Sequence, residues 1–100
     1  MKALDKLLQA AQDGLSYLRV GNHAMRQDKT YIHFTYHDNE ICLFDKTDKI
    51  FCTDDCGFSW SSSTSRAINE YSRKLPALFG AVKMNHLTRR IKADKNRKEC

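Results

Sequence analysis

The 100-residue sequence has few residues that break regular structure, since it contains one Pro and four Gly. This scarcity excludes collagen-like and low-complexity chains. No apolar run approaches the roughly 20 residues that a membrane-spanning helix needs, and residues 2–12 are amphipathic, unlike the apolar core of a signal peptide. The sequence therefore predicts a soluble, cytoplasmic protein without membrane contact.

The chain contains enough apolar material for one core. Hydrophobic residues make up 41% of the sequence and charged residues 29%, which is too apolar for a disordered chain. A chain of this length is typical of a single domain. We predict a single α+β domain at residues 1–82, followed by a basic C-terminal segment at residues 83–100.

Positive charge is concentrated in that segment. The formal net charge is +5; residues 83–100 carry seven Lys or Arg against two Asp or Glu, whereas residues 1–82 carry ten of each sign. The cationic residues of the segment are Lys83, Arg89, Arg90, Lys92, Lys95, Arg97 and Lys98. Such a segment favours contact with a polyanion, because each neutralised phosphate releases counterions. The alternative is a solvated end that only increases solubility.

Apolar spacing predicts a helix and a strand in the first quarter of the chain. Residues 2–12 place their leucines at helical spacing, and Gly14 follows as a stop. Residues 17–20 and 24–26 then predict one short, bent strand, because the turn-prone pair at 21–22 interrupts it.

Alternating apolar residues predict three antiparallel strands in the middle of the chain. They occupy residues 31–37, 40–45 and 49–53, and the pair at 38–39 suits a tight hairpin turn because both residue types tolerate a positive φ. With the short strand before them, they predict an antiparallel meander of three or four strands.

The same alternation predicts which strand residues face the core. In the first central strand, Ile32, Phe34 and Tyr36 share one face and are expected to be buried. In the next strand the phase is ambiguous. Two pairs compete there for the core: Ile41 with Leu43, and Cys42 with Phe44.

A second helix is predicted from the hydroxyl-rich stretch at 61–65 to about Leu75. Ser and Thr side chains in that stretch can accept hydrogen bonds from the first backbone N–H groups of a helix. Pro76 marks the predicted end of the helix. Between residues 82 and 91, helical and strand spacing fit equally well.

Residues 57–69, GFSWSSSTSRAIN, follow the predicted meander directly. This stretch resembles a motif of small phage-encoded proteins, in which a Gly-aromatic turn and a run of Ser or Thr precede Arg-x-x-Asn at the start of a helix. The similar region runs from about residue 17 to residue 75. The resemblance implies a meander packed against a helix and a mobile-element origin, and it implies no activity. By analogy with compact phage proteins, it suggests stoichiometric binding to host nucleic-acid machinery, such as a defence nuclease or a CRISPR effector.

Four Cys and four His suggest a zinc site, since Zn²⁺ selects thiolate and imidazole ligands. Only Cys52 and Cys56 have the close spacing of such ligands. Because a tetrahedral site needs four ligands, the other two would have to come from elsewhere on the sheet, and the candidates are Cys42 and His37. The favoured interpretation makes Cys42 and Cys52 small strand hydrophobes, and it predicts neither a metal nor another cofactor.

No arrangement in the sequence predicts catalysis. His33 and His37 are expected on one strand face near Glu40, which fits a proton-transfer pair, but no nucleophile accompanies them. Asp54 and Asp55 are typical of a turn. The Ser/Thr run lacks a nucleophile-elbow pattern, and no Gly-rich phosphate loop occurs in the chain. We predict that the protein is not an enzyme.

The candidate binding residues outside the basic segment are two arginines and two aromatic residues. Arg66 and Arg73 lie seven residues apart on the second predicted helix and hence on one exposed stripe, where ion pairing with Glu70 is the alternative role. Phe58 and Trp60 either fill the core or anchor a partner.

The predicted function is that of a non-enzymatic accessory protein that binds and blocks or modulates host nucleic-acid machinery. Its partner would be a nucleic-acid-processing protein or a ribonucleoprotein. The main alternative is direct binding of DNA or RNA through the basic C-terminal segment. A small zinc-binding protein and an assembly module, such as a homodimer, are further alternatives.

Overall fold

A computed structural model of the protein describes residues 2–54 and 61–84. Helix α1 (Lys2–Gln12) precedes five strands, and helix α2 (Ser62–Phe79) precedes a sixth. The strands form one sheet in chain order: β1 (Tyr17–Val20), β2 (His23–Gln27), β3 (Tyr31–Tyr36), β4 (Asn39–Asp45), β5 (Ile50–Thr53) and β6 (Val82–Lys83). The α+β class and the N-terminal helix are therefore confirmed.

The sheet differs from the prediction in both size and direction. It has six strands rather than three or four, and it is mixed, because β6 pairs parallel to β5. Parallel neighbours need a crossover connection, and α2 supplies it between these two strands. Val82 and Lys83 lie in β6, on either side of the predicted boundary between the domain and the basic segment.

The predicted bent strand near the N-terminus is a hairpin of two strands. Val20 pairs with His23, so the two residues between them form a tight turn, and Gly21 has the positive φ (64°) that such a turn needs. The Gly-Asn pair reverses the chain here instead of bending it.

A bulge between β3 and β4 settles the ambiguous phase of β4. His37 and Asp38, both with positive φ, form the turn, so it lies one residue earlier than predicted. Thr35 pairs with Glu40, but Phe34 pairs with Cys42, which leaves Ile41 as the extra residue. Cys42 and Phe44 consequently share the face of Phe34, and the bulged Ile41 is buried in the same core, whereas Leu43 lies in the other cluster.

The two helices cover one face of the sheet, and the core lies between the helices and this face. From α1 the core contains Leu4, Leu7 and Leu8, and from α2 it contains Ala67, Tyr71 and Leu75. On the sheet the expected burial of Ile32 and Phe34 is confirmed, whereas Tyr36 is only partly buried. The Tyr71 ring lies 4.5 Å from that of Phe34. Lys74 Nζ lies 2.8 Å from an Asp5 carboxylate oxygen and links the helices at their surface.

Helix α2 extends past its predicted end. Ser61 is its N-cap and accepts a hydrogen bond from the Thr64 backbone N–H, as the hydroxyl-rich stretch predicted. Pro76 lies inside the last turn, the helix ends three residues later at Phe79, and its C-cap is Gly80, whose φ is 66°. Gly80 and Ala81 donate backbone hydrogen bonds to the Pro76 and Leu75 carbonyls, which caps the helix. Neither α1 nor α2 is long and apolar enough to cross a membrane, within the described residues.

The hydroxyl of Tyr71 offers a test of core packing. The side chain is fully buried, and its hydroxyl has no hydrogen-bond partner in the described part of the chain. An unsatisfied buried polar group costs about 1–3 kcal/mol. We therefore expect Tyr71→Phe to raise the free energy of unfolding by about 1 kcal/mol, as measured by urea unfolding. Tyr71→Ala should lower it by about 3–5 kcal/mol, because it leaves a cavity. A Tyr71→Phe variant less stable than the wild type would contradict this account.

Candidate functional site

The face of the sheet opposite the helices carries a separate set of side chains, and we call it the back face. Residues paired directly across strands place their side chains on the same side, so the back face is organised in three rows. The rows are Tyr17, Arg26, His33, Leu43 and Cys52; Tyr31, Asp45, Ile50 and Val82; and Arg19, Ala24, Thr35 and Glu40.

The part of the back face on β1 and β2 is aromatic and cationic. Tyr17 is 54% exposed, and both Arg19 and Arg26 are exposed beside it. We call these three residues the Tyr–Arg zone. Towards β4 and β5 the face becomes apolar, since Leu43 and Cys52 form a small buried cluster there. The back face is thus aromatic and cationic at one edge and apolar and buried towards the other.

The two guanidinium groups of the Tyr–Arg zone are available to an anion. Arg19 donates a 3.0 Å hydrogen bond to the Gly21 carbonyl and lies 3.6 Å from the carboxylate of Asp38. Asp38 is 85% exposed, so this pair contributes little to stability. Arg26 has no ion pair with any residue between 2 and 54 or between 61 and 84.

His33 and Glu40 form a buried pair beneath this zone. The Nδ1 atom of His33 contacts a carboxylate oxygen of Glu40, and only 8% of the His33 side chain is exposed. The expected proximity of His33 and Glu40 is therefore confirmed. His37 does not share their strand face, because it lies in the β3–β4 turn with a positive φ. The enclosed imidazole leaves little of the ring for a reacting molecule to approach.

Among the described residues, the candidate zinc ligands Cys42, Cys52 and His37 do not come together. Cys42 faces the helices and Cys52 faces the back, so the two thiols lie on opposite sides of the sheet. His33 and Cys52 lie in the same row, and His37 lies four residues beyond His33. His37 is therefore about 10 Å or more from the row of Cys52, measured along the strands. The described residues contain no group of three metal-binding side chains. Cys56 lies outside the described residues.

The predicted arginines of α2 lie on the other side of the molecule. Arg66 and Arg73 are both exposed, and Arg73 Nη2 lies 2.5 Å from a carboxylate oxygen of Glu70. Arg73 lowers the pKa of Glu70 through this hydrogen bond. Lys83 reaches α2 as well, where its Nζ lies 3.3 Å from Ser72 Oγ. These cations do not join Arg19 and Arg26 on one surface.

Several predicted site residues cannot be placed. They lie outside the described residues: Phe58, Trp60, Arg89, Arg90, Lys92, Lys95, Arg97 and Lys98. In contrast, sequence reasoning missed the whole Tyr–Arg zone. The signal for it was the Gly21–Asn22 turn, because a two-residue hairpin there aligns Tyr17 with Arg26.

Comparison of the chain with known proteins identifies no matching family model, no similar curated protein and no similar solved structure. The resemblance of residues 57–69 to small phage-encoded proteins therefore stays a prediction. Evidence for function has to come from the surfaces of this chain itself.

A cluster of three rings lies at the β2–β3 end of the sheet. The His23 ring stacks on Tyr36 with centroids 4.5 Å apart, and the His37 ring lies 4.3 Å from Tyr36 on the same hairpin. His23 is 8% exposed, and its Nδ1 atom has no hydrogen-bond partner in the described chain. Burial, followed by repulsion from His37, lowers the pKa of His23.

This lowered pKa predicts that stability decreases in mild acid. Above about pH 6.5 the imidazole of His23 is neutral in both the folded and the unfolded state. Below that pH the unfolded chain takes up the proton first, so the free energy of unfolding falls by at most about 1.4 kcal/mol per pH unit for this group. Urea unfolding at pH 7.5 and 5.5 should show a smaller loss for His23→Phe than for the wild type. The control His37→Asn should keep most of the loss, and equal losses in all three proteins would refute the assignment.

The burial of Cys42 and Cys52 predicts that neither thiol reacts in the folded protein. They are 1% and 2% exposed, and burial raises the pKa of Cys42 well above its usual range. In a Cys56→Ser/Cys100→Ser variant, iodoacetamide at pH 8 should label neither thiol until urea unfolds the protein. Mass spectrometry counts the adducts. Rapid labelling of Cys52 under native conditions would show that the back-face cluster opens.

Proposed function

We propose that the protein is a non-enzymatic binding protein that contacts single-stranded nucleic acid with its Tyr–Arg zone. The observation that carries the proposal is the half-exposed ring of Tyr17 beside its register partner Arg26, with Arg19 one row away. An exposed aromatic ring stacks on an unpaired base, and guanidinium groups bind the phosphates that flank it.

The geometry of the back face favours a single strand over a duplex. Tyr31 is a second, half-buried ring on this face, two strands and two residues away from Tyr17, which corresponds to about 12 Å. A base can stack on an exposed tyrosine ring only when it is not stacked between neighbouring bases, as in a single strand. Proteins recognise duplexes instead with helices or strands that enter a groove. The two rings could therefore hold bases of one extended strand.

The charge of the described residues supports this local mode of binding. They carry eleven Lys or Arg against nine Asp or Glu, so this part of the chain has little net charge to attract a polyanion from a distance. Affinity at the Tyr–Arg zone must therefore come from the arrangement of a few side chains. Binding of a strand that host nucleic-acid machinery needs would block that machinery, which links this proposal to the predicted accessory role.

The test is binding of a fluorescein-labelled ten-nucleotide oligo-dT, measured by anisotropy at several salt concentrations. Tyr17→Ala should weaken binding by roughly five- to one-hundred-fold, because it removes one base stack. Tyr17→Phe keeps the stack and should bind like the wild type. Arg26→Ala should reduce the slope of log affinity against log salt by about 0.7, the value for one phosphate contact on a single strand.

Arg66→Ala is the matched control, because it removes an exposed arginine from the helical side of the molecule. It should leave binding unchanged, and a duplex of the same length should bind more weakly than the single strand. If Arg66→Ala weakens binding and Tyr17→Ala does not, the interface lies on α2 and the proposal is wrong. Absence of binding to both the oligonucleotide and its RNA counterpart would also overturn it.

A further inference from the structure

A groove opens at one end of the sheet, between the C-terminal ends of α1 and α2. Its volume is about 470 Å³, within the roughly 300–1,000 Å³ range of small-molecule sites. It lies on the helical side of the sheet, since its floor is formed by Ile32 and Phe44, which pair across β3 and β4. The groove is therefore separate from the Tyr–Arg zone.

The groove has an apolar floor and an apolar rim. The Phe79 ring lies 5.3 Å from that of Phe44 and forms one wall. Leu78, the preceding residue of α2, also lines the groove and is 43% exposed, which is high for a large apolar side chain. An apolar ligand group seated here would remove Leu78 from water, and this burial is favourable.

Two lysines supply the charge of the groove. Lys46 and Lys49 line it from the β4–β5 turn, and no Asp or Glu lines it within the described part of the chain. Lys46 Nζ donates a 2.6 Å hydrogen bond to the Asp28 carbonyl, which uses one of its three protons. Lys49 is exposed and has no ion pair with a described residue.

The helix ends do not cancel this positive charge. A helix C-terminus has a partial negative charge because its last carbonyls lack partners. Here the Ala11 carbonyl accepts a hydrogen bond from Gln27 Nε2 at 3.1 Å, and the Leu75 carbonyl accepts one from the Ala81 backbone N–H. Backbone hydrogen bonds from Tyr31 and Thr30, and also the charge of Lys46, lower the pKa of Asp28. The Asp28 carboxylate therefore offsets part of the Lys46 charge, and Lys49 is the less compensated cation beside the two capped helix ends.

We propose that this groove binds an apolar carboxylate of small size, such as a medium-chain fatty acid. Its hydrocarbon part would lie over Phe44, Phe79 and Leu78, and Lys46 and Lys49 would hold its carboxylate. The charge of the lysines selects an anion, and the shape and composition of the floor select an apolar tail.

The test is an NMR titration of the ¹⁵N-labelled full-length protein with decanoate below its micellar concentration. Saturable shifts are expected at the backbone amides of Gln27, Lys49 and Leu78. Decanol has the same tail without the charge, and decyltrimethylammonium reverses the charge. Decanol should bind at least about fivefold more weakly, because it lacks the contact with the lysines, and the ammonium compound should not saturate.

Variants separate the charge from the apolar contact. Lys49→Gln should weaken decanoate binding by about fivefold and leave decanol binding unchanged, whereas Leu78→Ser should weaken both. Lys29→Gln, a matched change of an exposed lysine outside the groove, should bind like the wild type. Equal affinities for decanoate and decanol, or equal effects of Lys49→Gln and Lys29→Gln, would overturn the proposal. Tyr17→Ala should leave decanoate binding intact, so this result is independent of nucleic-acid binding.

Discussion

The bulge at Ile41 fixes the side-chain phase of β4, and the core depends on it. Side chains alternate between the faces of a strand, so one extra residue moves every later side chain to the other face. With the bulge, Cys42 and Phe44 complete the helical face beside Phe34, and Leu43 goes to the back. Without it, Phe44 would leave the core, Phe79 would lose its partner ring, and the groove would lose its floor.

The same phase separates two chemistries on the two sides of one sheet. The helical side is apolar, and the groove on it has lysines at the turn that follows β4. The back face has arginines and tyrosines on its first strands and a buried cluster on its central ones. Because successive side chains of a strand lie on opposite faces of the sheet, Arg26 lies on the back face and its neighbour Gln27 lines the groove. The two proposed binding surfaces therefore lie on opposite sides of one sheet.

Local sequence signals predicted the helices and strands better than their connections. The spacing of the leucines located α1, and the Ser61 cap located the start of α2, because both signals depend on residues within one or two turns. The parallel strand β6 was not predictable in this way, since its pairing with β5 depends on how α2 crosses the sheet. Pro76 was misleading because a proline in the last helical turn removes only one hydrogen bond, and the cap at Gly80 compensates for it.

The candidate surfaces were harder to predict because their residues become neighbours only through the pairing register of the strands. Tyr17 and Arg26 are nine residues apart in sequence, and only the tight turn at Gly21 makes them neighbours. The predicted pair His33 and Glu40 was simpler, since one hairpin separates them. The groove was not predictable at all, because it combines ends of α1, β4 and α2 that no local pattern relates.

The order of the sheet also has a consequence for how the chain folds. Each of the first four strands pairs antiparallel with the next one in sequence, so most of the sheet can form by successive hairpins with short loop closures. Only the return of α2 and β6 requires a long connection. The contact order of the five-stranded part is therefore low for a β-rich protein, which favours rapid folding. Formation of β6 would then complete the sheet at the edge furthest from β1.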